Sequence, residues 1–269
     1  MILQANFEAL YDQAFEELRA LRSTCAEVDR EATPILAFGQ WEEARVVTAG
    51  LNPSEDEFRD KEQVGADGWK VPLKGEHQRF LHWPKAGILT RDLRNEAFRR
   101  AEGYFKLGNA YEDWFGAYTE FLSAIGATFA SGNACHTDYV SPFATVEGIS
   151  KCSPATIKRL KLSGFQYWVS VLELCPRVEM IFGHGHGWRI VEKHFRVSLV
   201  AVPTPFDHTG GSARHLSRAT IRLAQSDRRI LLYWWHPNRD GLPLCWLSRI
   251  EKQELGGIVK RDFRKRISL

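Results

Sequence analysis

Apolar residues recur at three- and four-residue steps from Phe7 through Leu10, Tyr11, Phe15 and Leu18 to Leu21. That period predicts an amphipathic helix over residues 4–30. The pattern then changes. Arg45-Val46-Val47-Thr48-Ala49-Gly50 is a compact run with two β-branched valines, and it predicts a buried strand over 45–52. Pro53 ends it, because it lacks a donor and pushes Asn52 away from helical geometry. Residues 89–104 read as a helix carrying Arg91, Arg94, Arg99 and Arg100. Residues 111–126 read as another, with Trp114, Phe115, Tyr118, Phe121, Leu122 and Ile125 on one side and Gly126 as its stop. A strand follows over 133–140. Ser153 caps the next helix and Pro154 opens it; it runs to about Cys175, with a break expected near Gly164. Strands over 178–183 and 197–202 flank a helix over 187–194. Ser212 is expected to cap a helix over 213–225. Last, Ile230–Trp235 and Leu244–Ile250 flank Asp240-Gly241, a hairpin turn signal.

Strands alternating with helices imply a mainly parallel sheet covered on both faces. The expected class is α/β: a three-layer α/β/α sandwich on a mainly parallel four-stranded central sheet, plus an N-terminal helix and a C-terminal β-hairpin. With 269 residues and no repeat or linker, the expectation is one domain over 1–269. Residues 1–40 would be a helical extension, and 226–269 the hairpin and a solvated basic tail, Lys260–Arg266. Residues 53–104 mix charges, Gly and Pro with isolated aromatics. A stretch that long inside a compact domain is either functional or holds short helices.

Composition narrows the class. Hydrophobic residues make up 44% and charged residues 26%, which supports a packed core and excludes disorder. No apolar run is long enough to span a bilayer, and the start lacks a signal peptide, so a cytoplasmic protein is expected. The five cysteines are scattered without a CxxC pair, which argues against a zinc ribbon or a disulfide scaffold. The net charge of +3 permits a polyanion partner without requiring one.

Candidate chemistry gathers at the strand ends, where open α/β sheets bind ligands. Asn52 follows the first strand. Thr137-Asp138-Tyr139 ends the second, Gly183-His184-Gly185-His186 the third, and Thr204 to Ser212 follows the fourth. Gly210-Gly211 before a helix capped at Ser212 would offer free N–H groups to an anion. His184 and His186 lack an acidic partner at ligand-like spacing, so no metal is expected. G-x-S-x-G, the P-loop and G-x-G-x-x-G are all absent, which removes the serine hydrolase, P-loop and dinucleotide readings.

Gly50-Leu51-Asn52-Pro53-Ser54 resembles the first motif of the uracil-DNA glycosylase superfamily, in the variant with asparagine in place of aspartate. Pro203-Thr204-Pro205-Phe206 through Ser212-Ala213-Arg214-His215 resembles its second motif, a loop that enters the minor groove. Thr137 to Val140 is similar to its base-reading strand end, and Val178 to Trp188 to its strand–Gly–helix segment. The resemblance covers residues 45–225. It implies DNA as the partner, a flipped base in a pocket, no cofactor, a monomer, and hydrolysis of the N-glycosidic bond to leave an abasic site, in repair or in defence against modified foreign DNA. Asn52 would position the attacking water, with Gly50, Leu51, Pro53 and Ser54 around the substrate. Phe58 would stack on the base; packing in the core is its equal alternative. Asp138 and Tyr139 would read the base. Thr204, Pro205, Phe206, Gly210, Gly211, Ser212 and Arg214 would contact DNA.

Two positions depart from the family pattern. The second motif usually begins with a histidine that stabilises charge on the base, and here Val202 stands there. His208 would substitute for it; His236-Pro237-Asn238 ranks second because the late hairpin is expected around it. Asp138 replaces an asparagine amide and can only accept while ionised. It would suit an exocyclic amine, hence a cytosine-derived base, unless it is salt-bridged. Two other functions stay open: a catalytically silent nucleic-acid-binding module, and an α/β enzyme acting on a nucleotide or phosphate ester through the Gly210-Gly211 helix start.

Overall fold

The computed structural model describes residues 2–58, 62–64, 70–72, 90–106, 112–185, 187–205, 215–236 and 247–267. In chain order the elements are α1 (Ile2–Thr24), β1 (Val46–Gly50), β2 (Glu62–Val64), β3 (Lys70–Pro72), α2 (Arg91–Gly103), α3 (Glu112–Ile125), β4 (Ala134–Asp138), α4 (Pro154–Leu174), β5 (Met180–His184), α5 (Trp188–Phe195), β6 (Val200–Val202), β7 (His215–Arg222), β8 (Arg229–His236) and α6 (Arg249–Ile267). They gather into two compact units, each built from three stretches of chain. The first comprises Met1–Phe38, Leu51–Ala110 and Asp138–Leu174; the second comprises Gly39–Gly50, Tyr111–Thr137 and Cys175–Leu269.

The first unit is mainly helical. α1 buries Phe7, Tyr11, Phe15, Leu18 and Leu21, the face its periodicity predicts, and packs on α4. It stops at Thr24 rather than 30 because the chain then pairs elsewhere: Asp29 N–H donates to Ala144 O and Val146 N–H to Glu27 O. α4 starts as expected, with Ser153 Oγ accepting from Thr156 N–H at 3.3 Å. It does not break near Gly164. A Cβ there would lie 1.9 Å from Val140 O, so glycine lets the helix lie against backbone. The arginines of α2 meet acids: Arg94 binds Asp12, and Arg99 and Arg100 bind Glu96.

The second unit holds a six-stranded mixed sheet in the order β4-β1-β5-β8-β7-β6. β1 and β8 both run parallel to β5, whereas β7 is antiparallel to β8 and to β6. Arg45 N–H donates to Asn133 O and the Thr137 hydroxyl to Thr48 O, so pairing numbers rise together along β1 and β4, as parallel strands require. One sheet face buries Met180, Phe182, Tyr233 and Trp235 against Phe121 and Leu122 of α3 and Leu255 and Val259 of α6. The molecule is thus α/β, with six mixed strands in the sheet rather than four.

Two predicted elements are corrected. The helix expected over 213–225 is absent, because His215–Arg222 is strand β7, registered residue by residue on β8 from His215↔His236 to Arg222↔Arg229. The turn between them places Asp227 at φ 54°, a conformation Asp tolerates. The hairpin partner expected at 244–250 is absent too. β8 already has β5 on one side and β7 on the other, and Ile250 belongs to α6. α6 begins with a reciprocal capping box: Glu251 N–H donates to Ser248 Oγ and Ser248 N–H to Glu251 Oε2. Leu255, Ile258, Val259 and Phe263 then give the helical period. Among the described residues no helix is long and apolar enough to cross a membrane.

Candidate functional site

β1 is buried over all five residues, and the chain leaves it into the turn that carries Asn52. In the first unit, Leu51 O accepts from Val140 N–H at 3.0 Å and from Ser141 N–H at 3.1 Å. Those bonds hold the Asn52 turn beside the segment that follows Asp138. Asn52 is half-buried, and both amide hydrogens are engaged: Nδ2 donates to Pro53 O at 2.9 Å and to Thr145 Oγ1 at 3.2 Å. Pinning the nitrogen fixes the plane of the amide and presents Oδ1 as an acceptor. Asp138 is buried as the last residue of β4, and Tyr139 is buried edge-on to Trp168.

The rest of that turn is tightly built. Pro53 is buried and Ser54 half-buried, while Leu51 is exposed. Phe58 is fully buried, which fits packing in the core rather than a face offered to a base. Next to it, the buried Glu57 carboxylate accepts the Tyr104 hydroxyl, 2.8 Å from both oxygens.

In the second unit, polar residues line successive strands on the side of α3. His136 on β4 is hydrogen-bonded through Nδ1 to Thr48 Oγ1 on β1 at 2.7 Å. His184 ends β5 beneath Trp114 and Tyr118, with ring centroids 5.1 and 6.1 Å away. Burial, then the neighbouring His136, lowers the His184 pKa to about 4, so it is a neutral ring at physiological pH. Among the described residues no three His, Cys, Asp or Glu side chains gather as a metal site; His186 lies outside them.

His236 ends β8, half-buried, with its ring 5.4 Å from that of Trp188 on α5. The other segment proposed for that role is only partly described. Thr204 is buried and Pro205 exposed just after β6, whereas Phe206, His208, Gly210, Gly211, Ser212 and Arg214 lie outside the described residues. Because β7 replaces the helix expected there, the Gly210-Gly211 helix start loses its basis as an anion site.

Sequence reasoning missed Thr145, His136 and Thr48. His136 carried a signal, since it alternates with Asp138 along a buried strand. Thr145 carried none, as its tie to Asn52 is made 93 residues away. Neither the family models nor the curated proteins compared with the chain give a match.

Proposed function

We propose that this chain is a DNA glycosylase that hydrolyses the N-glycosidic bond of a flipped uracil-like or modified pyrimidine base, possible substrates including cytosine derivatives. The observation that carries this reading is Asn52. Its amide nitrogen is held by Pro53 O and Thr145 Oγ1, which directs Oδ1 to accept from a bound water. An amide is too weak a base to activate that water by deprotonation. The glycosidic bond therefore breaks first, giving a base anion and an oxocarbenium-like sugar. Water held at Asn52 then adds its oxygen to the anomeric carbon, and its released proton restores the neutral base.

Departure of an anion needs a donor near the base. Sheet geometry supports His236 for this role over the Val202–His208 segment. β8 lies two positions from β1, so their carboxyl ends are about 10 Å apart at the usual strand spacing. β6 lies four positions from β1, about 19 Å away, too far for one base to reach both. His236-Pro237-Asn238 then matches the family's histidine-led second motif, with α6 as the helix after it. In this reading the working part of the sheet is the four strands β4-β1-β5-β8, which run parallel, and β7-β6 extend it. The pattern is that of the expected four-stranded parallel core.

An abasic-site assay over duplex and single-stranded DNA carrying uracil, hypoxanthine or modified cytosines tests the proposal. Wild type should release at least one base, and Asn52→Ala should not. Salt-sensitive DNA binding without release of any base would instead identify a silent binding module.

A further inference from the structure

A second recess of about 220 Å³ opens at the other end of the sheet in the second unit. Arg45 and Val46 lead into β1, and Glu179 and Met180 into β5, so the recess lies at the amino ends of these strands. One five-residue strand, about 16 Å, separates it from their carboxyl ends. Its walls are Val46, Ile125, Met180 and Phe263; its rim carries Arg45, Lys260 and Arg264 against the single acid Glu179.

Helix packing explains the opening. α3 and α6 come closest at Gly256, where a Cβ would stand 2.6 Å from Phe121 O. One turn on, Lys260 Nζ donates to Ala124 O at 3.1 Å. α3 then ends, with Gly126 at φ 86°, Ala127 N–H donating to Leu122 O and Gly126 N–H to Ser123 O. α6 continues, so its next turn overhangs the start of the sheet. The last carbonyls of α3 are met by these bonds, which offsets the negative end of that helix dipole. Arg45 is paired with Glu179, so the excess charge at the rim is positive and comes from Lys260 and the exposed Arg264. Exposed Arg261 and Lys265 lie on the same turns.

We propose that this recess binds a small organic anion: a single apolar or aromatic ring bearing a phosphate or carboxylate. The ring would lie on Met180 and Phe263, and the anionic group would meet Arg264 and Lys260. The size agrees, since a cavity of about 150 Å³ accepts benzene and this one has room for one charged group more. A neutral ring would leave the cationic rim unused, and a bare anion would leave the apolar wall wet. The proposal stands apart from the base-excision reading, because none of its residues takes part in that chemistry.

Calorimetric titration of the full chain with phenyl phosphate, benzoate, phenol and inorganic phosphate tests it. Phenyl phosphate or benzoate should bind about tenfold tighter than both phenol and inorganic phosphate, and the stronger of the two identifies the head group. Arg264→Glu and Lys260→Gln should each weaken that binding by about tenfold while the thermal midpoint of Arg264→Glu stays near wild type. Failure of both ring anions to bind, equal affinity for phenol or for phosphate, or indifference to both substitutions would overturn the proposal. Binding of an oligothymidylate that depends on Arg264, without affinity for either ring anion, would also overturn it and mark a polyanion surface instead.

Discussion

At the carboxyl end of β5, His184 is buried and held neutral under two aromatic rings. Just before the amino end of the same strand, Glu179 is exposed and pairs with Arg45 across to β1. The carboxyl ends carry groups whose protonation is set by the protein, while the amino ends carry charges that water screens. Burial makes the first set expensive to disturb and specific in geometry; exposure makes the second set tolerant. The same sheet thus offers a place suited to chemistry at one end and a place suited to reversible anion binding at the other. The contrast orders the expected effects, from the carboxyl ends downward.

The largest effect is expected for His236→Ala. Removing a donor to developing negative charge costs about a hundred- to a thousandfold in rate, so base release should fall by that factor in single-turnover assays. His208→Ala should leave the rate unchanged. The reverse result would return the role to the segment after β6 and end the sheet-spacing argument. The next effect concerns His184. Its ordinary pKa is 6.5 and its folded value about 4, so the unfolded chain takes up a proton in this interval that the folded chain refuses. Stability from this group is therefore complete above pH 6.5 and lost as pH falls toward 4, by about 3 kcal/mol. Urea unfolding of wild type and His184→Gln between pH 7 and pH 4 measures it. Wild type should lose that much more than the variant; a constant difference between them would mean that the ring is not held neutral.

Much of this contrast is legible in the chain, and the rest is not, for identifiable reasons. β1 and its turn announce themselves through Val46-Val47, Gly50 and Pro53, because steric preferences act locally. α1, α3 and α4 follow from apolar spacing alone. β7 does not: Leu216, Ala219 and Leu223 also fit a helical stripe, and only pairing along the whole of β8 decides for the strand. α6 had a local signal, the Ser248-Arg249-Ile250-Glu251 capping box, which the expected hairpin overrode. At the site, Asn52 is readable from its turn. Its orientation is not, since Thr145 reaches it only through the tertiary fold. The rank of His236 depended wholly on strand order, which no local pattern encodes.

A smaller effect tests the helix pair above the recess. A Cβ at Gly256 would meet Phe121 O at 2.6 Å and Ala124 Cβ at 2.7 Å. Gly256→Ala trades better helix propensity, worth about 1 kcal/mol, against overpacking of about 1–3 kcal/mol. The net expectation is a destabilisation of about 1 kcal/mol in urea melts, with ring-anion affinity altered because α6 must shift. A stabilised variant would show that the two helices part without cost.

The smallest effect belongs to the amino ends themselves. Arg45 donates from Nε and Nη2 to the two oxygens of Glu179, at 3.2 and 2.7 Å, but the side chains are 59% and 44% exposed. A forked pair of good geometry in water is worth under about 1 kcal/mol, because solvent screens it and two long side chains lose freedom. Glu179→Gln should therefore change stability by no more than that, and about 1 M salt should erase the difference, since the screening length falls to about 3 Å. Replacing the acid also leaves Arg45 without its neutraliser at the rim, so benzoate or phenyl phosphate should bind tighter in this variant. A loss of several kcal/mol that persists in high salt would mean that the pair is desolvated, and the two ends of the sheet would then not differ in the way their exposure implies.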